Sequence, residues 1–281
     1  MRLLRVGDPG SEVPVVLDES GQARDLRSVT SEIGGDFLAD GGVRRVRDAL
    51  AGLPPIDITG MRIGAPVARP GALVCIGLNY SDHAAETAAE PPSEPVVFMK
   101  ATNTVVGPND TVLVPRASVK TDYEVELAIV LGATARYLDS PDDAAAVIAG
   151  YAISNDVSER EFQIERGGQW TKGKSCETFN PLGPWLVTAD EVGDPQALGL
   201  RLSVNGELRQ DGNTKNMLFG VHHVIWYLSQ FMVLEPGDVV NTGTPAGVAL
   251  GVNDFGYLRE GDTVELSIDR LGAQRQRIGQ A

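Results

Sequence analysis

The segment Tyr123-Glu124-Val125-Glu126-Leu127 sets two carboxylates two residues apart at the head of Glu124–Leu131, a stretch that is otherwise apolar. Such a run predicts a strand, and alternate side chains of a strand share a face, so Glu124 and Glu126 point the same way. On a buried face the two groups repel until something positive lies between them. An oxygen-preferring divalent cation such as Mg²⁺, Mn²⁺ or Ca²⁺ is the simplest choice. On a solvated face the pair is an ordinary polar strand surface. Asp156 follows the apolar run Tyr151–Ser154, where a strand end opens into Val157-Ser158-Glu159-Arg160. It would complete a three-carboxylate set with positions left for water or substrate; its ordinary alternative is an Asx-turn.

A second cluster follows Gly77-Leu78-Asn79-Tyr80. His83 and Glu86 lie three apart, and on a helix Glu86 could hold the imidazole in one tautomer and raise its basicity. The alternative is a surface helix turn. Lys174, in Lys172-Gly173-Lys174-Ser175-Cys176, could approach an anionic centre closely because glycine flanks it, or could be a solvated loop lysine. The Gly-Lys-Ser triplet lacks the upstream spacing of a phosphate loop, which removes nucleotide binding. Cys176 has no base oriented toward it in sequence and is set aside as a nucleophile. His222 and His223 are adjacent on one amphipathic helix, cannot face one metal, and read as structural. The loop Asn241-Thr242-Gly243-Thr244-Pro245-Ala246-Gly247 offers hydroxyls and close N–H groups that could grip a carboxylate, or forms a tight turn.

The elements that must position these residues are mostly short strands. Leu3–Val6 and Val13–Leu17, with a turn at Glu19-Ser20-Gly21-Gln22, predict hairpin structure. Val43, Val46 and Leu50 recur at helical spacing before Gly52. Pro54–Pro70 carries four prolines and reads as a linker crossing a surface. A helix is expected to start at Ser140-Pro141-Asp142-Asp143 and stop at Gly150, and another to run from about Met217 to Phe231. The expected division is a small N-terminal module and linker over 1–68 and a catalytic domain over 69–281. The fold class is α+β with a strand-rich core.

With 281 residues the chain can hold one large domain and a small one. Its net charge of −14 argues against nucleic acid and anionic membrane surfaces. An acidic protein that binds an anionic substrate needs a local positive centre, which a metal supplies. Two cysteines without a CxxC pair fit a reduced, cytoplasmic compartment. The N-terminus carries no signal-peptide pattern, and the longest apolar run, Ala144–Ile153, is too short to span a bilayer.

In order along the chain, these segments resemble the fumarylacetoacetate hydrolase family. The matching stretches are Ile76–Tyr80 with His83 and Glu86, Phe98-Met99-Lys100, Asp122–Leu127, Asn155–Arg160 with Gln163, Gly173-Lys174-Ser175 and Thr242–Pro245. Ser81–Thr87, Gln169–Cys176 and Tyr227–Phe231 further resemble the family's bacterial 2,4-diketo-3-deoxy-sugar-acid (rhamnonate or fuconate) hydrolases. The resemblance implies a strand-rich mixed β-roll of the fumarylacetoacetase C-terminal type, and commonly a homodimer. It implies Glu124, Glu126 and Asp156 as ligands of Mg²⁺, with Mn²⁺ or Ca²⁺ as alternatives. It also implies His83 and Glu86 as a catalytic dyad, Lys174 as the active-site lysine, and Arg160, Gln163, Thr244 and Lys100 near a keto-acid substrate.

The reaction expected is hydrolysis of the C3–C4 bond of a 2,4-diketo acid to pyruvate and a carboxylic acid, with His83 as general base toward water. Two alternatives stand beside it. The same centre could serve an isomerase or decarboxylase acting on oxo-dioic acids or oxaloacetate, and an inactive metal-binding protein is the third.

Overall fold

Val125–Leu131 is a strand with all seven residues buried. Val125, Leu127, Ile129 and Leu131 point into one hydrophobic core, while Ala128 and Val130 point into another on the opposite face. A strand covered on both faces shows a continuous apolar run rather than an alternating one, and that is why its two glutamates stand out. The computed structural model describes residues 1–82, 90–252 and 256–281; His83 and Glu86 lie outside them.

Among the described residues this strand belongs to an eleven-stranded mixed sheet. From one edge the order is Ala23–Asp25, Val13–Leu17, Arg2–Val6, Asn180–Thr188, Ile148–Asn155, Val125–Leu131, Val239–Asn241, Leu73–Gly77 and Val96–Lys100. Ile63–Gly64 pairs with Arg2–Val6, and Val105–Val106 with Asn180–Thr188. A second, five-stranded sheet runs Glu207–Asn213, Gly199–Val204, Thr263–Ile268, Gly272–Gln280 and Val112–Val114. Leu127, Ile129 and Ile153 of the first sheet share one core with Leu200, Leu202, Val264 and Leu266 of the second. The other face of the large sheet is covered by Phe37, Leu38 and Val46 from N-terminal helical segments. The fold is therefore α+β and strand-rich, and the N-terminal strands continue the large sheet through the pairing of Leu3 with Leu186.

Three local expectations differ from what the structure shows. The segment after Ser140 is a 3₁₀ turn, Pro141–Ala146, and the chain is already a strand at Ile148. The Ser140 N–H and hydroxyl both donate to Asp143 at 2.9 Å, which holds the start of that turn. The later helix is Val221–Ser229 rather than 217–231, because the amides of Leu218 and Phe219 donate to the backbone and side-chain oxygens of Asn79. The Pro54–Pro70 stretch does not simply cross a surface. Ile63–Gly64 pairs with Arg5 and Val6, and Ala65, Val67 and Ala68 are buried.

The site's central strands lie close together. A Cβ built on Gly150 would stand 2.0 Å from the Val187 carbonyl oxygen of the neighbouring strand. Gly150→Ala should therefore lower the melting temperature, at a cost of about 1–3 kcal/mol or more. Gly52→Ala, where a Cβ meets open space, is the control. Equal thermal melts for the two variants would contradict this packing.

Candidate metal centre and active site

Three segments bring the carboxylates together. Glu124 lies one residue before its strand and donates its N–H to Asn155 Oδ1 at 3.1 Å. Glu126 pairs across the ladder with Ser154, and its Oε2 accepts the Gly243 N–H at 2.7 Å. Asp156 follows the neighbouring strand and donates its N–H to the Glu124 carbonyl at 2.9 Å. The three residues are buried, and one carboxylate oxygen from each lies within 4.8 Å of the others.

The cations arrive from elsewhere. Lys174 ends a short helical turn, Thr171–Lys174, and its Nζ donates to Glu124 Oε2 at 2.7 Å and Asp156 Oδ2 at 2.9 Å. Gly173 makes that approach possible: a Cβ there would lie 2.4 Å from Glu159 O and 2.5 Å from Gln163 N. Phe98 covers the Lys174 ammonium with its ring centre at 5.1 Å. Arg160 bridges Asp122 Oδ2 at 2.8 Å and Glu124 Oε1 at 2.7 Å, and donates to Gln163 Oε1 at 3.0 Å. Gln163 sits in a π-helical turn, Glu161–Glu165, a rare geometry that is frequent at functional sites. The Thr244 hydroxyl donates to Val125 O at 2.9 Å and accepts from Gln210 at 2.8 Å.

Glu124, Glu126, Asp156, Arg160, Gln163, Lys174 and Thr244 thus line one cavity of about 190 Å³. Lys100 is not among the described lining. Its side chain is fully buried, and its ammonium donates to Asp156 Oδ1, to Phe179 O at 2.7 Å and to Val157 O at 3.2 Å. Lys100 therefore holds Asp156 rather than facing the cavity, which corrects the expectation of a substrate contact. Two other residues escaped the sequence reading. Asp122 anchors Arg160 and accepts the Ala249 and Leu250 amides. Gln210 ties the Thr244 loop to Val125 across the two sheets. Asp122 could have been flagged by its proximity to Glu124; nothing in the sequence marks Gln210. Cys176 is no nucleophile at neutral pH, since burial pushes its thiol up to about 11.

Residues 72–279 match the family model described as the fumarylacetoacetate hydrolase C-terminal domain. The chain belongs to the fumarylacetoacetate hydrolase family. A Burkholderia multivorans relative with a provisional hydrolase name is 51% identical over 98% of both chains. Among solved structures, maleylpyruvate hydrolase from Sphingobium sp. SYK-6, in complex with manganese(II) and pyruvate, is 30% identical over the whole of both chains with a TM-score of 0.83. The 5-carboxymethyl-2-hydroxymuconate delta-isomerase of Mycobacterium smegmatis is 31% identical, covering 100% of this chain and 99% of its own, with a TM-score of 0.79.

Within this family member the donor set fits a hard divalent ion, on electrostatic grounds. Among the described residues, the linked buried set holds four carboxylates, Asp122, Glu124, Glu126 and Asp156, against three cations, Lys100, Arg160 and Lys174. Four against three leaves the set one positive charge short; a divalent ion would leave it one in excess, which a single substrate carboxylate cancels. Glu126 carries the strain of the shortfall. Burial, with the carboxylates of Asp156 and Glu124 alongside, pushes its pKa well above the usual glutamate range. Burial would lower the Lys174 pKa, but the same two carboxylates overcome it and hold the ammonium above the ordinary lysine range. Arg160 is likewise held charged against burial by Asp122 and Glu124.

A glutamate whose pKa folding raises keeps a proton that the unfolded chain releases. The metal-free fold therefore loses stability as pH rises from the ordinary glutamate value toward the raised one. Glu126→Gln keeps an acceptor for the Gly243 N–H and removes the charge. It should melt higher than the wild type at about pH 8 without metal, with the gap closing toward about pH 4. Added Mg²⁺ or Mn²⁺ should stabilise the wild type and not the variant. A variant that melts lower at pH 8, or gains as much from metal, would contradict this account of Glu126.

Proposed function

We propose that this protein is a metal-dependent hydrolase that cleaves the C3–C4 bond of a 2,4-diketo acid, releasing pyruvate and a carboxylic acid. The observation that carries the reading is the buried Glu124–Glu126–Asp156 cluster with Lys174 bonded to two of its members. A small-molecule substrate with one carboxylate suits the charge balance of that set. The Sphingobium neighbour, solved with manganese(II) and pyruvate, supports both the ion and the product class.

Glu124, Glu126 and Asp156 would hold the ion, Mg²⁺ or Mn²⁺. When bound it would supply Lewis-acid polarisation of a chelating 2-keto acid. In the role the family resemblance implies for His83 and Glu86, the pair would take a proton from water, and the hydroxide adds to the C4 carbonyl. The C3–C4 bond then breaks, its electron pair going to C3 as the pyruvate enolate. A proton returned to C3 completes R–CO–CH₂–CO–COO⁻ plus water giving R–COOH plus pyruvate. Lys174 has three N–H bonds and spends two on Glu124 and Asp156, leaving one for a developing enolate oxygen. The Thr244 loop and Gln163 border the carboxylate end of the substrate. A homodimer, the state the family resemblance implies, completes the reading; sedimentation velocity measures it.

The M. smegmatis neighbour keeps a second reading open, since a centre with a base also serves tautomerisation of an oxo-dioic acid. The sugar-acid substituent expected from the sequence receives no support from the described cavity lining, which is mostly apolar beyond the charged set.

Coupled assay of pyruvate release from acetylpyruvate, fumarylpyruvate, a 2,4-diketo-3-deoxy sugar acid and oxaloacetate, with Mg²⁺ and with EDTA, tests the proposal. Metal-dependent pyruvate from a diketo acid is expected. Pyruvate from oxaloacetate alone would make the protein a decarboxylase, and none from any compound would leave the isomerase reading. Glu124→Gln should cost roughly 10²-fold or more in metal-dependent turnover. Alanine is the wrong probe there, because it would strand Arg160 and Lys174 as buried charges and confound activity with folding.

A further inference from the structure

The cavity is two-sided. Its charged residues are connected by hydrogen bonds at the floor, where the three carboxylates are 0–5% exposed. Beyond these, the described lining is two polar residues, Gln163 and Thr244, both hydrogen-bonded to the residues around the floor, then Ile76, Leu78, Phe98, Ile164, Trp170 and Leu250, together with two glycines. Ile164 and Leu250 are 47% and 38% exposed, so the apolar side reaches the mouth. A substrate chelated at the floor must direct its substituent along this wall.

The wall is built rather than incidental. Leu78 holds a left-handed backbone at φ +55°, a conformation that costs a bulky residue about 1–3 kcal/mol. It is locked by its neighbour. Asn79 donates to Phe219 O at 3.0 Å and Thr242 O at 2.8 Å and accepts the Phe219 N–H at 2.9 Å. Trp170 packs against Gly77 so closely that a Cβ there would stand 2.5 Å from the indole. The indole meets Phe98 edge-on at 5.3 Å, and Phe98 in turn covers Lys174.

What this wall lacks, among the described residues, is an unpaired cation to hold a distal charge. The two cations that line the cavity are each paired with two carboxylates: Arg160 with Asp122 and Glu124, Lys174 with Glu124 and Asp156. A second substrate carboxylate would be desolvated against isoleucine, leucine and aromatic rings without a counter-ion, and sugar hydroxyls would lose their water bonds there. The charge balance of the described residues points the same way, since one carboxylate would neutralise that set once an ion is bound.

From this we infer that the group beyond C4 is uncharged and apolar, an alkanoyl or aroyl chain, so that the substrate is an acylpyruvate with a hydrophobic acyl group. The inference rests on the acylpyruvate reading of the site. It excludes both a terminal carboxylate and a polyhydroxylated chain.

The test uses the Mg²⁺-loaded enzyme and matched pairs. Hexanoylpyruvate should exceed both acetylpyruvate and the hexanoyl analogue bearing a terminal carboxylate by roughly tenfold or more in kcat/KM. Ile164→Ser with Leu250→Ser, two half-exposed positions, should shrink the hexanoyl-to-acetyl ratio several-fold. Equal or better turnover of the carboxylate-ended or sugar-acid substrate, or an unchanged ratio in the double variant, overturns the inference. Binding keeps the test separate from the reaction. If no diketo acid releases pyruvate, calorimetry with Mg²⁺ should still show 2-oxooctanoate binding roughly tenfold tighter than 2-oxooctanedioate. Equal or reversed affinities would sink the apolar wall whatever the reaction.

Discussion

Everything at this centre depends on one electrostatic constraint. Among the described residues, four carboxylates linked within one buried set face three ammonium and guanidinium groups. Each charge removed from water costs several kcal/mol unless paired, so the set persists only because nearly every oxygen has a donor aimed at it. Lys100 and Lys174 take the two oxygens of Asp156, Arg160 and Lys174 take those of Glu124, and the Gly243 amide serves Glu126. Among the described residues Glu126 is the member with no ion pair to a cation, and a divalent ion is the group that would relieve it.

The fold's work is to bring these groups in from distant parts of the chain without opening the site to water. The strands Val125–Leu131 and Ile148–Asn155 are adjacent and antiparallel, which places Glu124 and Glu126 beside Asp156 at one end of the ladder. The remaining parts come from Leu73–Gly77, Val96–Lys100, the turn Thr171–Lys174 and the loop after Asn241. Glycine appears where backbones must nearly touch. At Gly173 a side chain would collide with the Gln163 turn, and at Gly243, with φ +95°, it would meet Asn79 Cβ at 2.9 Å. The second sheet contributes rigidity through Gln210 and Gln276, whose amides bridge to Val125 and Asn155.

The carboxylate cluster was legible because strand periodicity and an apolar background make Glu-x-Glu conspicuous, and Asp156 sits where an apolar run ends. For Lys174 the flanking glycine allowed a close approach but left a solvated loop lysine equally open, and the site role came from the family resemblance. Lys100 shows the limit: its type and family resemblance said substrate, but only the three-dimensional path of its side chain reveals that it ends on Asp156 and two carbonyls. Gln210 carries no local signal at all, since its role exists only across two sheets. The same cause shortened the Val221–Ser229 helix. Its hydrophobic stripe begins at Leu218, yet Asn79, 140 residues away from Phe219, claims the amides that would have started it earlier. The proline-rich stretch before Pro70 misled for a related reason, because prolines stop helices but do not stop two residues from joining a sheet edge.

The central claim is that the buried set takes one divalent ion on Glu124, Glu126 and Asp156. Anomalous diffraction at the manganese edge, from crystals of the full chain equilibrated with Mn²⁺, measures this directly. A single strong peak bonded to oxygens of all three carboxylates is expected. Clear density for the three side chains with no manganese among them at saturating Mn²⁺, or a peak held elsewhere in the molecule, would contradict it.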